Sequence, residues 1–207
     1  VIITGANGEL GSETTKAISA KGAKVIMACR NLDKGTTIKD DILKLNPESQ
    51  IEIMKLDNAD LSSVKSFADN FKKNHNRLDI LFNNAGVMAI PRTKTEDGFE
   101  MQFGINHLAH FALTGHLLEI LNETPNSVVH NTSSSAAFTA RINFEDLMGE
   151  QSYNRWLAYG QSKLANAVFA AELNSRLAKS GYKTISNSSH PGLVMGNLQW
   201  NSLNKSG

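Results

Sequence analysis

The chain has 207 residues and a formal net charge of +1, and 41% of its residues are hydrophobic, which is typical of one folded domain and excludes a disordered chain. The balance of charge gives no electrostatic reason to expect a nucleic-acid partner, and no apolar run reaches the roughly eighteen residues of a membrane span. The single cysteine, Cys29, excludes an internal disulfide framework and a cysteine-based zinc site.

Strand-like and helix-like segments alternate along the chain. Short apolar or β-branched runs predict strands, and longer segments with apolar residues at helical spacing predict helices. The predicted strands cover residues 1–3, 25–28, 51–56, 78–82, a run that starts at 127, and 184–189. The predicted helices run from the first glycine turn to about 21, then over 33–45, 61–71, 96–122 with Thr95 as N-cap, and 158–179, and an irregular connection covers 136–157.

This alternation predicts βαβ units, and hence an α/β fold with a doubly wound, mostly parallel, Rossmann-like sheet that has helices on both faces. Ligands of such sheets bind at the carboxyl ends of the strands. The chain starts without methionine inside an apparent strand, so we interpret residues 1–207 as a single domain truncated at both ends. We expect a cytoplasmic location.

A glycine-rich turn, residues 4–11, follows the first predicted strand. Glycines let backbone N–H groups approach a pyrophosphate, and the N-terminus of the next helix favours negative charge. The alternative is a turn that only changes the direction of the chain. The residues that we predict to contact a dinucleotide in this turn are Thr4, Gly5, Asn7, Gly8, Leu10 and Gly11.

Tyr159 and Lys163 lie four residues apart on a predicted helix, so both side chains project from one face. The pKa of tyrosine is near 10, and a nearby ammonium lowers it toward the range in which a phenol can transfer a proton. Ser134 ends a predicted strand, where its hydroxyl can donate to a carbonyl oxygen. Asn106 can hold a water behind the lysine. Taken singly, these residues are also compatible with an accidental pair, a turn serine and a surface asparagine.

These motifs occur in the order of the short-chain dehydrogenase/reductase family, which the chain resembles over essentially its whole length. The resemblance rests on the glycine turn, residues 83–86 (Asn-Asn-Ala-Gly), Asn106, the serines at 133 and 134, the Tyr159–Lys163 pair and Pro191-Gly192. Residues 28–31, 106–108 and 157–166 are similar to the retinol-dehydrogenase-like subgroup, which includes the WW-domain oxidoreductase and a plastid translocon-associated reductase. The long gap between Ser134 and Tyr159 is typical of the same subgroup.

The resemblance implies an NAD(P)-dependent oxidoreductase that transfers hydride between a nicotinamide and a lipophilic alcohol or carbonyl substrate. Tyr159 would be the general acid/base, Lys163 would lower the pKa of Tyr159 and hold the ribose, and Asn106 would position a relay water. Ser134 would polarise the carbonyl, with Ser135 as the alternative. A homo-oligomer through the two long helices is also implied. The further cofactor contacts implied are Asn31, Asp57, Asn58, Asn84, Ala85, Gly86, Pro191, Gly192 and Val194.

Arg30 stands near the end of the second strand, where an acidic residue binds the ribose diol of NAD. A guanidinium there suits a 2′-phosphate, so NADP is favoured over NAD. The alternative is a solvated strand-end residue.

Several positions depart from the family pattern: Glu9 replaces a glycine, Asn58 a hydrophobic residue, Ala109 a glycine and Gly196 a threonine. They leave open a second hypothesis, a cofactor-impaired dinucleotide-fold protein with a sensing or scaffold role. The histidines at 107, 110 and 116 lack acidic neighbours at ligand spacing, so we interpret them as ordinary helix histidines and predict no metal site.

Overall fold

A computed structural model describes residues 1–192. These residues form a six-stranded sheet in the order β3-β2-β1-β4-β5-β6, and every neighbouring pair is parallel. The predicted doubly wound α/β fold is confirmed. The strands are β1 Ile2–Thr4, β2 Val25–Cys29, β3 Ile51–Lys55, β4 Ile80–Asn83, β5 Val128–Thr132 and β6 Ile185–Ser189. The helices are α1 Glu9–Ser19, α2 Leu32–Leu45, α3 Leu61–Asn74, α4 Met101–Phe103, α5 Ala109–Glu123 and α6 Arg155–Lys179.

Consecutive residues of the central strands point to opposite faces of the sheet, as the pleat requires. Ile2 belongs to the core cluster that also holds residues of α3 and α5, whereas Ile3 belongs to the cluster on the other face, beside Ile42 of α2. Burial of apolar side chains on both faces explains why β1 and β2 read as continuous apolar runs.

The strand order reverses at β1, which lies between β2 and β4. In an open parallel sheet, this reversal opens a crevice at the carboxyl ends of the strands. The glycine turn after β1 and residues 84–86 after β4 therefore border the same crevice.

The prediction of one long helix over residues 96–122 is wrong at its start. Gly98 has a φ of +86°, a conformation that interrupts a helix. Glu100 is the observed N-cap, because its carboxylate accepts from the N–H groups of Gln102 and Phe103. Thr95 instead holds the preceding turn, since its hydroxyl accepts from the Phe99 N–H.

A π-helical turn, Gly104–Leu108, connects α4 to α5. Single π-helical turns inside α-helices are frequent at functional sites. The turn contains Asn106. A 3-10 helix, Ser135–Thr139, forms at the start of the stretch predicted to be irregular, residues 136–157, and the sequence did not indicate it. Within residues 1–192, no helix combines the length and the apolar character needed to cross a bilayer.

Candidate active site

Thr4 joins the glycine turn to the segment that follows β4. Its hydroxyl accepts hydrogen bonds from the backbone N–H groups of Asn84 and Ala85, both at 2.9 Å. The Asn84 amide donates in return to the Thr4 carbonyl oxygen at 2.9 Å. Two stretches that lie eighty residues apart in sequence therefore form one rigid rim of the crevice.

The glycines of the turn allow two very close backbone approaches. A Cβ on Gly5, which has a φ of +63°, would lie 2.9 Å from the Ala85 Cα, and one on Gly11 would lie 2.3 Å from the Gly5 carbonyl oxygen. The α1 helix then begins at Glu9, with Gly8 as an N-cap that makes no side-chain capping hydrogen bond. An uncapped helix N-terminus behind a glycine turn supplies donors that fit a pyrophosphate.

Glu9 occupies the first position of α1, and its side chain is exposed. A carboxylate there interacts favourably with the helix dipole. Its place on the exposed surface explains how the helix accommodates this departure from the family pattern. Ala109, another departure, is fully buried within the core cluster.

The end of β2 lies beside the glycine turn. The Asn7 amide donates to the Asn31 carbonyl oxygen at 3.3 Å, and the Asn31 side chain caps α2 by accepting from the Lys34 N–H. Arg30 is exposed, and within residues 1–192 its guanidinium makes no hydrogen bond or ion pair. A cation at this edge is available to a ligand that occupies the crevice.

Residues 57 and 58 follow β3 at the same end of the sheet. Asp57 accepts from the Ala59 N–H at 2.9 Å. The Asn58 amide lies 3.1 Å from His110 Nε2, so this side chain turns inward toward α5. The resemblance implied that Asn58 flanks an adenine, but its amide is engaged beneath the rim.

Tyr159, Lys163 and Ser134 meet at the carboxyl end of β5. The Lys163 Nζ lies 5.8 Å from the centre of the Tyr159 ring and donates to the Thr132 carbonyl oxygen at 3.0 Å. The Tyr159 hydroxyl lies near the Ser134 hydroxyl, and this interaction favours the phenolate. Ser133 faces away, because its hydroxyl donates to the Lys163 carbonyl oxygen, and Ser135 is exposed. The geometry thus favours Ser134 over the alternative that the sequence left open.

Burial controls the protonation of this pair. It raises the pKa of Tyr159, against the opposing effect of the interaction with Ser134. It lowers the pKa of Lys163 to about 8, because a low dielectric disfavours the charged form. Desolvation therefore outweighs the neighbouring charges at Tyr159 in this structure, and the predicted lowering of the pKa of Tyr159 by Lys163 stays a prediction.

Asn106 is completely buried and bridges three segments. Its amide donates to the Val87 carbonyl oxygen and to the Ser162 hydroxyl, and its Oδ1 accepts from the Val87 N–H, all at 2.8–2.9 Å. The side chain therefore ties the segment after β4 to α6. The surface alternative for Asn106 is wrong, and the relay water implied by the resemblance stays a prediction.

The remaining predicted contacts lie at the end of the described chain. Pro191 and Gly192 follow β6, and the Gly192 N–H donates to His190 Nδ1 at 3.2 Å. Val194 and Gly196 lie outside the described residues.

His110 is the residue that sequence reasoning missed. It is 1% exposed and contacts Thr4, Asn58 and the Asn106 carbonyl oxygen. The available signal was the spacing of Asn106, His110 and Thr114, three polar residues four apart that share one helix face. Among the described residues, no group of three histidine, cysteine or acidic side chains could hold a metal ion.

Comparison with known proteins places this geometry in a family. The sequence profile of a family described as short chain dehydrogenase matches residues 1–206. Human retinol dehydrogenase 11 is 46% identical over 198 residues, which is 96% of this chain and 62% of the human protein. Mouse retinol dehydrogenase 12 is 44% identical over 202 residues, 98% of this chain and 63% of the mouse protein. The chain thus spans less than two thirds of the length of these curated relatives.

Solved structures share the fold. An uncharacterized protein from Mycobacterium paratuberculosis matches with a TM-score of 0.84 and 43% identity, over 97% of this chain and 70% of that protein. A short-chain dehydrogenase from Sphingobium yanoikuyae, solved in complex with NADPH, matches with a TM-score of 0.78 and 17% identity, over 97% of this chain and 73% of that one. The second likeness concerns the fold alone.

Proposed function

Because the chain belongs to the short-chain dehydrogenase family, we propose that it acts as an NAD(P)-dependent oxidoreductase that interconverts an alcohol and a carbonyl compound. The observation that carries this proposal is the meeting of Tyr159, Ser134 and Lys163 at the carboxyl end of β5, beside Gly86, where an added Cβ would lie 3.5 Å from the Lys163 Nζ. A structural helix surface has no need to bury a lysine, whose desolvation is costly.

The side chains divide the proton chemistry between them. A bound nicotinamide would supply or accept the hydride. In the direction of reduction, the Ser134 hydroxyl donates to the substrate carbonyl oxygen, and the Tyr159 hydroxyl gives its proton to that oxygen. Burial keeps the phenol protonated before the reaction. Because Lys163 is mostly charged at pH 7 with a pKa of about 8, it favours the phenolate that remains.

Arg30 supports NADP as the preferred dinucleotide. Its exposed guanidinium stands at the end of β2, beside the Asn7–Asn31 contact that joins this edge to the glycine turn. Guanidinium groups bind phosphate in a bidentate geometry. The residues proposed to hold the rest of the dinucleotide are the glycine turn, Asn84, Ala85 and Gly86, and Lys163.

A lipophilic substrate fits the segment that precedes Tyr159. Four large apolar side chains on this segment are exposed, with relative exposures between 48% and 79%. A concentration of exposed apolar side chains next to a polar site indicates a binding surface. The relatives named retinol dehydrogenases suggest a long-chain alcohol or aldehyde. The four side chains are Phe138, Phe144, Trp156 and Leu157.

A homodimer through α5 and α6, and a cytoplasmic location, stay predictions. Phe111 and Val168 are more than half exposed on these helices, and the Phe111 ring lies 5.2 Å from that of Phe169. This aromatic surface supports the dimer. A Phe111→Glu substitution is expected to yield a monomer in light scattering.

The deciding experiment measures NADPH and NADH binding to the purified protein by cofactor fluorescence, and then turnover of retinol with NADP⁺. The wild type is expected to bind NADPH more tightly than NADH and to oxidise retinol with NADP⁺. Tyr159→Phe is expected to keep the binding and to lose at least about a hundredfold in kcat, the usual contribution of a general acid or base. Absence of binding by either cofactor would remove the proposal. Binding without any turnover would instead favour the sensing or scaffold hypothesis.

A further inference from the structure

The imidazole of His110 is held in one tautomer. Its Nδ1 lies 3.0 Å from the Asn106 backbone carbonyl oxygen. A carbonyl oxygen can only accept a hydrogen bond, so Nδ1 carries the hydrogen and Nε2 carries a lone pair. Burial lowers the pKa of His110 to about 4, so the ring is neutral at physiological pH and this assignment holds.

The Nε2 lone pair meets the Thr4 hydroxyl at 2.9 Å. That hydroxyl already accepts from the N–H groups of Asn84 and Ala85, which occupy both of its lone pairs. Its one hydrogen must therefore be donated. The candidate acceptors are His110 Nε2 at 2.9 Å and the Phe82 carbonyl oxygen at 3.3 Å, and the shorter contact is with the imidazole. The Asn58 amide also lies 3.1 Å from Nε2, so Thr4 shares this acceptor and makes the shorter of its two contacts.

The orientation of the Thr4 hydroxyl has a consequence at the crevice. With its hydrogen directed at His110, its two lone pairs face residues 84 and 85. Ala85 in turn packs on Gly5, where the added Cβ would lie 2.9 Å from the Ala85 Cα. The imidazole thus contacts, through Thr4, the segment of residues 84 and 85 that borders the proposed dinucleotide site.

We propose that His110 is a positioning residue for the dinucleotide, which acts through the Thr4 hydroxyl to hold residues 84–86 against the glycine turn. This inference rests on the proposed function, because it needs a dinucleotide in the crevice. His110 touches neither substrate nor reacting atoms in this role.

Two substitutions by amide residues test the two ring nitrogens of His110 separately. A glutamine places its Oε1 near the position of Nε2, so His110→Gln keeps an acceptor for Thr4 and loses the donor to Asn106. An asparagine places its Nδ2 near the position of Nδ1, so His110→Asn keeps the donor to the Asn106 carbonyl and loses the acceptor for Thr4. His116→Asn, on the same helix, is the matched control.

The test measures the NADPH Kd by fluorescence and the Tm without cofactor. His110→Asn is expected to raise the Kd about tenfold, the loss typical of one buried hydrogen bond. His110→Gln is expected to rescue binding to within about threefold of wild type, at a similar Tm. A merely structural role would lower the Tm of both variants and leave their Kd values alike, and that result would overturn the inference.

A second pair of variants leaves the histidine in place. Thr4→Ser keeps the hydroxyl and is expected to bind NADPH more tightly than Thr4→Val. In the Thr4→Val background, His110→Asn is expected to cause no further rise in Kd, because the hydroxyl through which His110 acts is already absent. Additive effects would overturn the inference. If the wild-type protein bound no dinucleotide, the proposed function itself would be overturned. If the two His110 variants bound NADPH equally well, only the inference about His110 would be overturned.

Discussion

The ammonium nitrogen of Lys163 lies 5.8 Å from the centre of the Tyr159 ring, one helical turn back along α6. Burial raises the pKa of the phenol and lowers that of the amine to about 8. Both shifts favour the neutral forms. The site therefore holds two groups at some cost in stability, as functional sites often do, and this cost is measurable.

Replacement of Lys163 by methionine should change how stability depends on pH. The pKa of Lys163 is about 8 in the folded chain, whereas the ordinary value of a lysine, expected in the unfolded chain, is 10.5. Between these values the unfolded chain binds more protons, so the free energy of unfolding of the wild type rises with pH there. Relative to Lys163→Met, the wild type should gain about 3 kcal/mol from pH 7 to pH 10.5.

The measurement is urea unfolding of both proteins, without cofactor, at several pH values from 7 to 10.5. Lys179→Met is the control, because Lys179 is an exposed residue near the end of the same helix. Comparison with this control separates the effect of burying Lys163 from the loss of one lysine charge on the same helix. A constant difference between wild type and Lys163→Met would contradict the lowered pKa.

Ser134 and Ser135 are neighbours with different environments, and substitution of each by alanine should separate them. Ser134 interacts with the Tyr159 hydroxyl and caps the 3-10 helix, whereas Ser135 is exposed. Ser134→Ala should lower kcat/KM by roughly a hundredfold, the usual loss for one donor to a developing oxyanion. Ser135→Ala should stay within about threefold of wild type. Steady-state kinetics decide, and a larger loss in Ser135→Ala would reverse the assignment.

The alternation of strands and helices, and the pairing of Tyr159 with Lys163, could be predicted because both depend on local periodicity. The residue at which α4 begins could not be predicted. Gly98 takes its left-handed conformation within a turn that Thr95 closes by contacts to Phe99, and residues 96–122 contain enough apolar side chains to read as one helix.

The role of His110 was hidden for a different reason. Its partners, Thr4, Asn58 and the Asn106 carbonyl, come together only when β1, β3 and the π-helical turn meet at one end of the sheet. Sequence spacing identifies which residues share a helix face, but it does not say which distant residue that face meets. The net upward shift of the pKa of Tyr159 could not be predicted for a similar reason, since burial is a property of the assembled fold.

Two helical glycines should respond differently to substitution by alanine. A Cβ on Gly115 of α5 would meet no atom within 4 Å, whereas one on Gly160 of α6 would lie 3.1 Å from the Ala140 Cβ and 3.2 Å from the Ala136 carbonyl oxygen. Gly115→Ala should raise the free energy of unfolding by about 1 kcal/mol, the difference in helix propensity. In Gly160→Ala, overpacking of about 1–3 kcal/mol should cancel that gain or exceed it.

The same overpacking should also reach the chemistry. Ala136 lies within the 3-10 helix that Ser134 caps, and Ala140 is the C-cap of that helix, so a methyl on residue 160 pushes this turn away from Tyr159. We expect a lower kcat in Gly160→Ala and an unchanged kcat in Gly115→Ala. Urea unfolding and steady-state kinetics on both variants test this. If Gly160→Ala were as stable and as active as Gly115→Ala, α6 and the 3-10 helix could move apart without a cost in free energy, and the prediction would be wrong.

Acid should destabilise the fold through His110. Burial lowers its pKa from 6.5 to about 4, opposed by the hydrogen bond to the Asn106 carbonyl and reinforced by Lys163 and His107. Between these pH values the unfolded chain takes up a proton that the folded chain does not, so the free energy of unfolding falls as pH falls. From pH 7 to pH 5 this one residue should remove about 2 kcal/mol. In His110→Asn, which cannot titrate there, the loss should be smaller by that amount. Urea unfolding of both proteins at pH 7, 6 and 5 gives the difference directly, and parallel curves would mean that the imidazole is charged, or exposed to water, in the folded chain.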